Sequence, residues 1–183
     1  MTMFGSILGT SGQVIERPEN LQLPSGVASV YDFKIKTIEG NEVDFNDLRG
    51  KKVLIVNVAS ECGYTGQYKG MQNLFGTLGD KVVVLAFPSN QFGKQEPGSN
   101  KDISDFCKEK FDVAFPVFEK TEVKGAGKNA LYRWLTDKSM NGWNDKEPEW
   151  NFNKYLVNEK GELVAWFSSR VKPMDERITS RIR

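Results

Sequence analysis

Two short runs of β-branched residues decide most of what this chain can fold into. Residues 52–59, KVLIVNVA, and residues 81–87, KVVVLAF, are almost unbroken apolar stretches. A strand with one wet face alternates apolar and polar residues, whereas a strand covered on both faces does not. Both runs therefore predict strands at the centre of a sheet with a layer on either side. Between them, Tyr68, Met71, Leu74, Phe75 and Leu78 recur at helical spacing, predicting a helix over Gln67 to Leu78. Strand, helix, strand over so short a span reads as a βαβ unit with a right-handed crossover.

The flanking segments add simpler pieces. Residues 29–37 alternate through Val30, Phe33 and Ile35, turn at Glu39-Gly40-Asn41-Glu42, and resume at Val43-Asp44-Phe45, which predicts an N-terminal hairpin. A Gly/Pro-rich loop over 88–98 leads to helices near Ser99–Lys110 and Gly127–Asp137. Residues 152–157 and 162–167 flank Asn158-Glu159-Lys160-Gly161, a second hairpin signal. A short last helix is expected to follow Pro173 as its first residue. The expected class is α/β, a central mixed sheet flanked by helices, in one domain over residues 29–183. Residues 1–28, with Pro18, Pro24, Ser25 and Gly26, are expected to form a loosely ordered extension. Met1 to Ile15 carries no charged side chain and lacks the basic start of a secretory signal; a weak targeting segment is the alternative.

Composition narrows the chemistry. The 183 residues hold 25 Lys and Arg against 24 Asp and Glu, so no nucleic-acid or membrane-surface partner is expected. No apolar run approaches the roughly 18 residues of a membrane helix, so stable membrane insertion is not expected either. There is no histidine and there are two cysteines. That removes Ser-His-Asp hydrolysis, Cys-His proteolysis and four-ligand structural zinc, and no metal or cofactor is expected. Two cysteines do not make a disulfide scaffold. A cytoplasmic location is the working expectation, with an organellar or periplasmic one left open.

Chemistry must then rest on other side chains. Cys62 lies three residues beyond the first buried strand and just before the helix. Ligands of α/β sheets gather at the carboxyl ends of strands, and N–H groups at a helix start stabilise an anion there. Gly63 would let a substrate approach the backbone closely. A packed, inert thiol is the plain alternative. Cys107, 45 positions further on, sits among Ile103, Phe106 and Phe111 on a predicted helix. It is either a half-buried structural thiol or a partner for oxidised Cys62, which requires Cα atoms within about 4.4–6.8 Å. Two polar–aromatic clusters, Phe87 to Gly98 and Glu149-Trp150-Asn151-Phe152, follow or open strands. Their indole, carboxamide and backbone N–H groups are neutral donors able to stabilise a thiolate without histidine, or simply to close loops.

At these residues the chain resembles a known family. Asn57-Val58-Ala59-Ser60-Glu61-Cys62-Gly63-Tyr64-Thr65 is similar to the active-site block of the glutathione peroxidase family. Phe87–Gly98 and Trp150-Asn151-Phe152 resemble its other two blocks, in the same order, and the match runs from about Val30 to the C-terminus. The resemblance implies a thioredoxin-like fold and a catalytic set of Cys62, Gln95, Trp150 and Asn151, with Gln95 rather than Gln91 in the glutamine position. It implies Cys107 as the resolving cysteine of the cysteine-type members, and Ser89 stands where many relatives have a further cysteine. The implied activity is reduction of hydrogen peroxide and organic or lipid hydroperoxides. It would proceed through a sulfenic acid and an intramolecular disulfide, recycled by a thioredoxin-like dithiol protein or by glutathione. The short segment Asp137–Glu149 implies a monomer by analogy. The alternative is a peroxide-sensing relay that passes oxidation to a partner protein.

Overall fold

Val53, Leu54, Ile55, Val56 and Val58 are all excluded from solvent, which is why their segment shows no alternation of polarity. The computed structural model describes residues 11–183. In chain order its strands are β1 (Val14–Glu16), β2 (Lys34–Lys36), β3 (Glu42–Asp44), β4 (Lys52–Val58), β5 (Val82–Pro88), β6 (Lys154–Val157) and β7 (Leu163–Phe167). The helices are α1 (Gln67–Leu78), α2 (Asn100–Phe111), α3 (Ala130–Leu135), α4 (Lys138–Asn141) and α5 (Glu176–Ile182). Five strands form one sheet in the order β1-β7-β6-β4-β5, while β2 and β3 pair as a separate hairpin. Strands β4 and β5 run parallel across α1, and the other pairs in the sheet are antiparallel.

Each face of the sheet buries its own core. Leu54, Val56 and Val58 of β4 point to the side covered by α1, α2 and α5, where Tyr68, Met71, Leu74, Ile103 and Ile178 meet them. Val53 and Ile55 point the other way, against Leu131, Trp134 and Leu135 of α3 and against Phe45 and Phe118. Full burial of such a side chain is worth about 1.5–3 kcal/mol. This is the mixed α/β layout expected from the two apolar runs, and it is a thioredoxin-like fold.

Four local expectations differ. Val14–Glu16 is not loose: it pairs with Phe167, Trp166 and Ala165 of β7 and forms the sheet edge. Arg177 of α5 ties this strand's approach down by donating to the Ser11 and Gly12 carbonyls. Residues 1–10 of the expected extension lie outside the described residues. Val30–Asp32 forms a 3₁₀ turn, not a strand, because Ser29 and Asp32 make a reciprocal capping box. Pro173 does not open the last helix; Asp175 caps it, accepting from the Arg177 N–H at 2.9 Å. Phe152, expected in a strand, sits in the turn before β6 with φ of 61°.

Candidate active site

The ends of β4 and β5 deliver the two loops that matter. After β4 the chain turns sharply, and Thr65 pins the turn. Its Oγ1 accepts the Cys62 N–H at 2.9 Å and donates to the Ala59 carbonyl at 2.9 Å, and its own N–H donates to the Cys62 carbonyl at 3.0 Å. Regular helix starts only at Gln67, so Cys62 precedes α1 by a full turn. The Tyr64 N–H still reaches the Cys62 Sγ, at 3.4 Å, and supplies the anion-stabilising contact the sequence placed at a helix start. The thiol is half-buried. Among the described residues, chain neighbours aside, no atom lies within 4 Å of where a Gly63 Cβ would stand, so packing does not demand glycine there.

The loop after β5 is tied to this turn: the Glu61 N–H donates to the Gln95 carbonyl at 3.0 Å. Asn151, fully buried, donates through Nδ2 to Gln95 Oε1 at 2.9 Å and to the Phe92 carbonyl at 3.4 Å. That bond fixes the orientation of the Gln95 carboxamide and leaves its Nε2 as the free donor end. Trp150 is 38% exposed and tilts against Phe92 with ring centroids 6.0 Å apart. Gly93, at φ 65°, lies under it: a Cβ there would sit 3.1 Å from Trp150 Cη2. Tyr64 and Trp150 line a common groove with Arg170. Gln95, Trp150 and Asn151 therefore form one cluster, and backbone contacts join it to the Cys62 turn. Gln91 does different work. Its Oε1 accepts the Val123 and Lys124 N–H groups and its Nε2 donates to the Lys124 carbonyl, so it closes a loop.

Cys107 is not in that cluster. It lies in the last turn of α2, is 2% exposed, and is a free thiol like Cys62. Burial pushes it up to about 11, against an opposing pull from the Tyr68 hydroxyl. Tyr68 in turn packs against Phe106, Phe111 and Phe115, an aromatic cluster on one side of Cys107, which on the other lines a shallow groove with Glu39 and Lys108. Two further buried groups went unmarked in the sequence. Glu96 is 1% exposed, and burial pushes its carboxyl up to about 7, with Ser60 pulling it down. Among the described residues, Ser60 Oγ, Tyr68 Oη and Glu96 Oε2 each find no partner in hydrogen-bond geometry. Lys154, fully buried in β6, is held well below the usual lysine range by desolvation. Its one sequence signal is its alternation with Phe152 and Leu156 on the apolar face of the strand. Among the described residues no group of three or more Cys, Asp or Glu side chains is arranged to hold a metal ion.

The glutathione peroxidase family model matches residues 30–136, which carry Cys62, Gln95 and Cys107. The chain belongs to the glutathione peroxidase family. It is 44% identical over 155 residues to glutathione peroxidase-like peroxiredoxin 2 of Saccharomyces cerevisiae, covering 83% of this chain and 96% of that one. It is 42% identical to hydroperoxy fatty acid reductase gpx1 of Synechocystis, covering 79% and 89%. The crystal structure of Trgpx in apo form superposes with a TM-score of 0.65 at 36% identity, covering 85% of this chain and 93% of its own. The protein is thus a cysteine-type glutathione peroxidase and an oxidoreductase, a thiol peroxidase acting on hydroperoxides.

Proposed function

We propose that Cys62 is the peroxidatic nucleophile and that Gln95 and Trp150 donate hydrogen bonds to the peroxide, with Asn151 holding Gln95 in its donor orientation. The observation that carries this is the bond from Asn151 Nδ2 to Gln95 Oε1 beside a half-buried thiol that accepts the Tyr64 N–H. The Cys62 thiolate attacks the distal oxygen of ROOH. The O–O bond breaks, sulfur gains the distal OH as a sulfenic acid, and RO⁻, hydrogen-bonded by Gln95 and Trp150, takes from solvent the proton the thiol released on ionising and leaves as ROH. Cys107 then displaces the sulfenic oxygen as water and forms a disulfide, which a dithiol protein reduces by exchange.

Magnitudes show why the donors are needed. A free cysteine is a few per cent thiolate at pH 7, so complete ionisation gains roughly 30-fold, about 2 kcal/mol. Enzymes gain about 10⁶-fold or more. The difference falls to orientation of the O–O bond and protonation of the leaving oxygen. A groove of about 700 Å³ runs from Gly63 and Tyr64 past Lys69, Lys172 and Met174, and its mix of cations and apolar surface suits an amphiphilic hydroperoxide. The hydroperoxy fatty acid reductase among its relatives supports that substrate class.

We propose a thioredoxin-like dithiol protein as the reductant, a reading the peroxiredoxin names of its relatives support, and a cytoplasmic monomer as the working unit. Peroxide turnover tests the assignment. Cys62→Ser is expected to abolish it, Gln95→Ala to slow thiol oxidation by at least about tenfold, and thioredoxin to sustain turnover where glutathione does not. A Gln95→Ala variant oxidised at the wild-type rate would remove the donor role, and faster turnover with glutathione would remove the dithiol assignment.

A further inference from the structure

Trp150, Asn151 and Phe152 present three consecutive carbonyls, and each receives a side-chain donor from a different element. Asn57 Nδ2 of β4 donates to the Trp150 carbonyl at 2.9 Å. Ser169 Oγ, just beyond β7, donates to the Asn151 carbonyl at 2.5 Å. Lys154 Nζ donates to the Phe152 carbonyl at 2.6 Å. The turn needs holding, because Phe152 adopts a left-handed conformation, at φ of 61°, that a non-glycine residue disfavours. The Phe152 N–H is held as well, donating to the Asn57 carbonyl at 2.6 Å.

Lys154 does more than close this turn. Its Nζ also reaches the Ser169 carbonyl at 3.5 Å, and that carbonyl accepts Gln67 Nε2 at 2.6 Å. Gln67 is the first residue of α1, the helix that follows the Cys62 turn. A chain of contacts thus runs from the nucleophile's helix through Ser169 to Lys154 and on to the residues that carry the indole and carboxamide. A lysine is a costly choice for a position with no exposure, on the sheet face shared with Leu156, where an aliphatic side chain would pack without penalty. No carboxylate bonds its amine; Asp175, the nearest influence, is engaged by Arg177. Charged or neutral, the amine carries at least two donor hydrogens, one for each carbonyl it faces.

We infer that Lys154 is a positioning residue for peroxide reduction, its buried amine setting the Trp150–Asn151 turn against the Cys62 segment through the Phe152 and Ser169 carbonyls. This role rests on the donor function proposed for Trp150 and Asn151. Lys154 touches no reacting atom, so its effect is confined to the oxidative half-reaction.

The test is rapid-mixing oxidation of the reduced protein by hydrogen peroxide, with reduction of the disulfide form by thioredoxin measured separately. Lys154→Met keeps the length of the side chain and removes its donors. It is expected to oxidise about 10- to 100-fold more slowly, the range for misplacement of catalytic groups, while its reduction by thioredoxin stays at the wild-type rate. On a Trp150→Phe/Asn151→Ala background, adding Lys154→Met is expected to change little, since the groups it positions are gone. Ser169→Ala, which removes the hydroxyl that donates to the Asn151 carbonyl and accepts from Asn153 Nδ2, tests the same turn should Lys154→Met not fold. It is expected to slow oxidation several-fold with the same non-additivity. Wild-type oxidation in Lys154→Met, or full additivity with the double variant, overturns the positioning role alone. Wild-type oxidation in the Trp150→Phe/Asn151→Ala variant itself overturns the donor function and the positioning role together.

Discussion

Glu96 holds a proton in the fold where an unfolded chain would have lost it. Its carboxyl is 1% exposed and lifted by burial from an ordinary value of 4.5 to about 7. A raised carboxyl stabilises the fold most below its unfolded value, and that contribution is lost as pH rises through the folded one. The window is therefore about pH 4.5 to 7, and the size is on the order of 3 kcal/mol. Urea unfolding across pH 5 to 8 is expected to show this loss in the wild type and not in Glu96→Gln, which has no charge to bury. Equal pH slopes for the two would contradict it. Gly93 makes a second prediction at this scale. Alanine there must adopt φ of 65° and push on Trp150 Cη2 from 3.1 Å. Gly93→Ala is expected to cost about 1–2 kcal/mol of stability and to slow peroxide oxidation about tenfold, measured by denaturation and rapid mixing. Cys62 and Gln95 were legible as residues because strand ends collect ligands and because the family blocks single them out. Glu96 was not, because its burial is decided by what the fold lays over a loop; Lys154 left only its place in alternation with Phe152 and Leu156, which does not say that the face is covered.

Among the elements, α2 must change most if Cys107 is to reach Cys62. Its start is well held by the Ser99–Asp102 capping box. Its end is a closing motif in which the Asp112 N–H donates to the Lys108 carbonyl at 3.1 Å and the Val113 N–H to the Cys107 carbonyl at 3.2 Å, with Asp112 at φ 50°. Releasing Cys107 breaks that motif and frees Phe106 and Phe111 from Tyr68. Hydrogen exchange is expected to be about tenfold or more faster over residues 107–113 in the disulfide form than in the reduced form, while the first turn of α2 stays protected. Unchanged protection between the two states would contradict a resolving role. Long elements were legible here. The helix α1 follows from the spacing of Tyr68, Met71, Leu74 and Leu78, and β4 and β5 from their unbroken apolar runs. The strand β1 was hidden because three residues, Val14 to Glu16, take their conformation from pairing with β7 and not from their own pattern. The 3₁₀ turn at Val30–Asp32 was hidden because a side-chain capping box overrode an alternating sequence.

At the scale of the whole molecule, two cores and one mixed sheet hold a thiol-bearing turn and a donor-bearing turn at neighbouring strand ends, with a buried second thiol behind them. The βαβ unit in the sequence already implied that the Cys62 turn and the loop carrying Gln95 would share one end of the sheet, but not that the Trp150–Asn151 turn would join them. What it did not contain was the network through Asn57, Ser169 and Lys154, whose bonds from Asn57 to Trp150 and from Gln67 to Ser169 span 93 and 102 positions and exist only once β6 and β7 are in register. The central claim is that the sulfur of Cys62 takes the peroxide oxygen. In Cys107→Ser, which cannot form the disulfide, one equivalent of hydrogen peroxide followed by a sulfenic-acid trap and peptide mass spectrometry should place a single stoichiometric adduct on Cys62. Absence of that adduct while peroxide is still consumed would contradict the account.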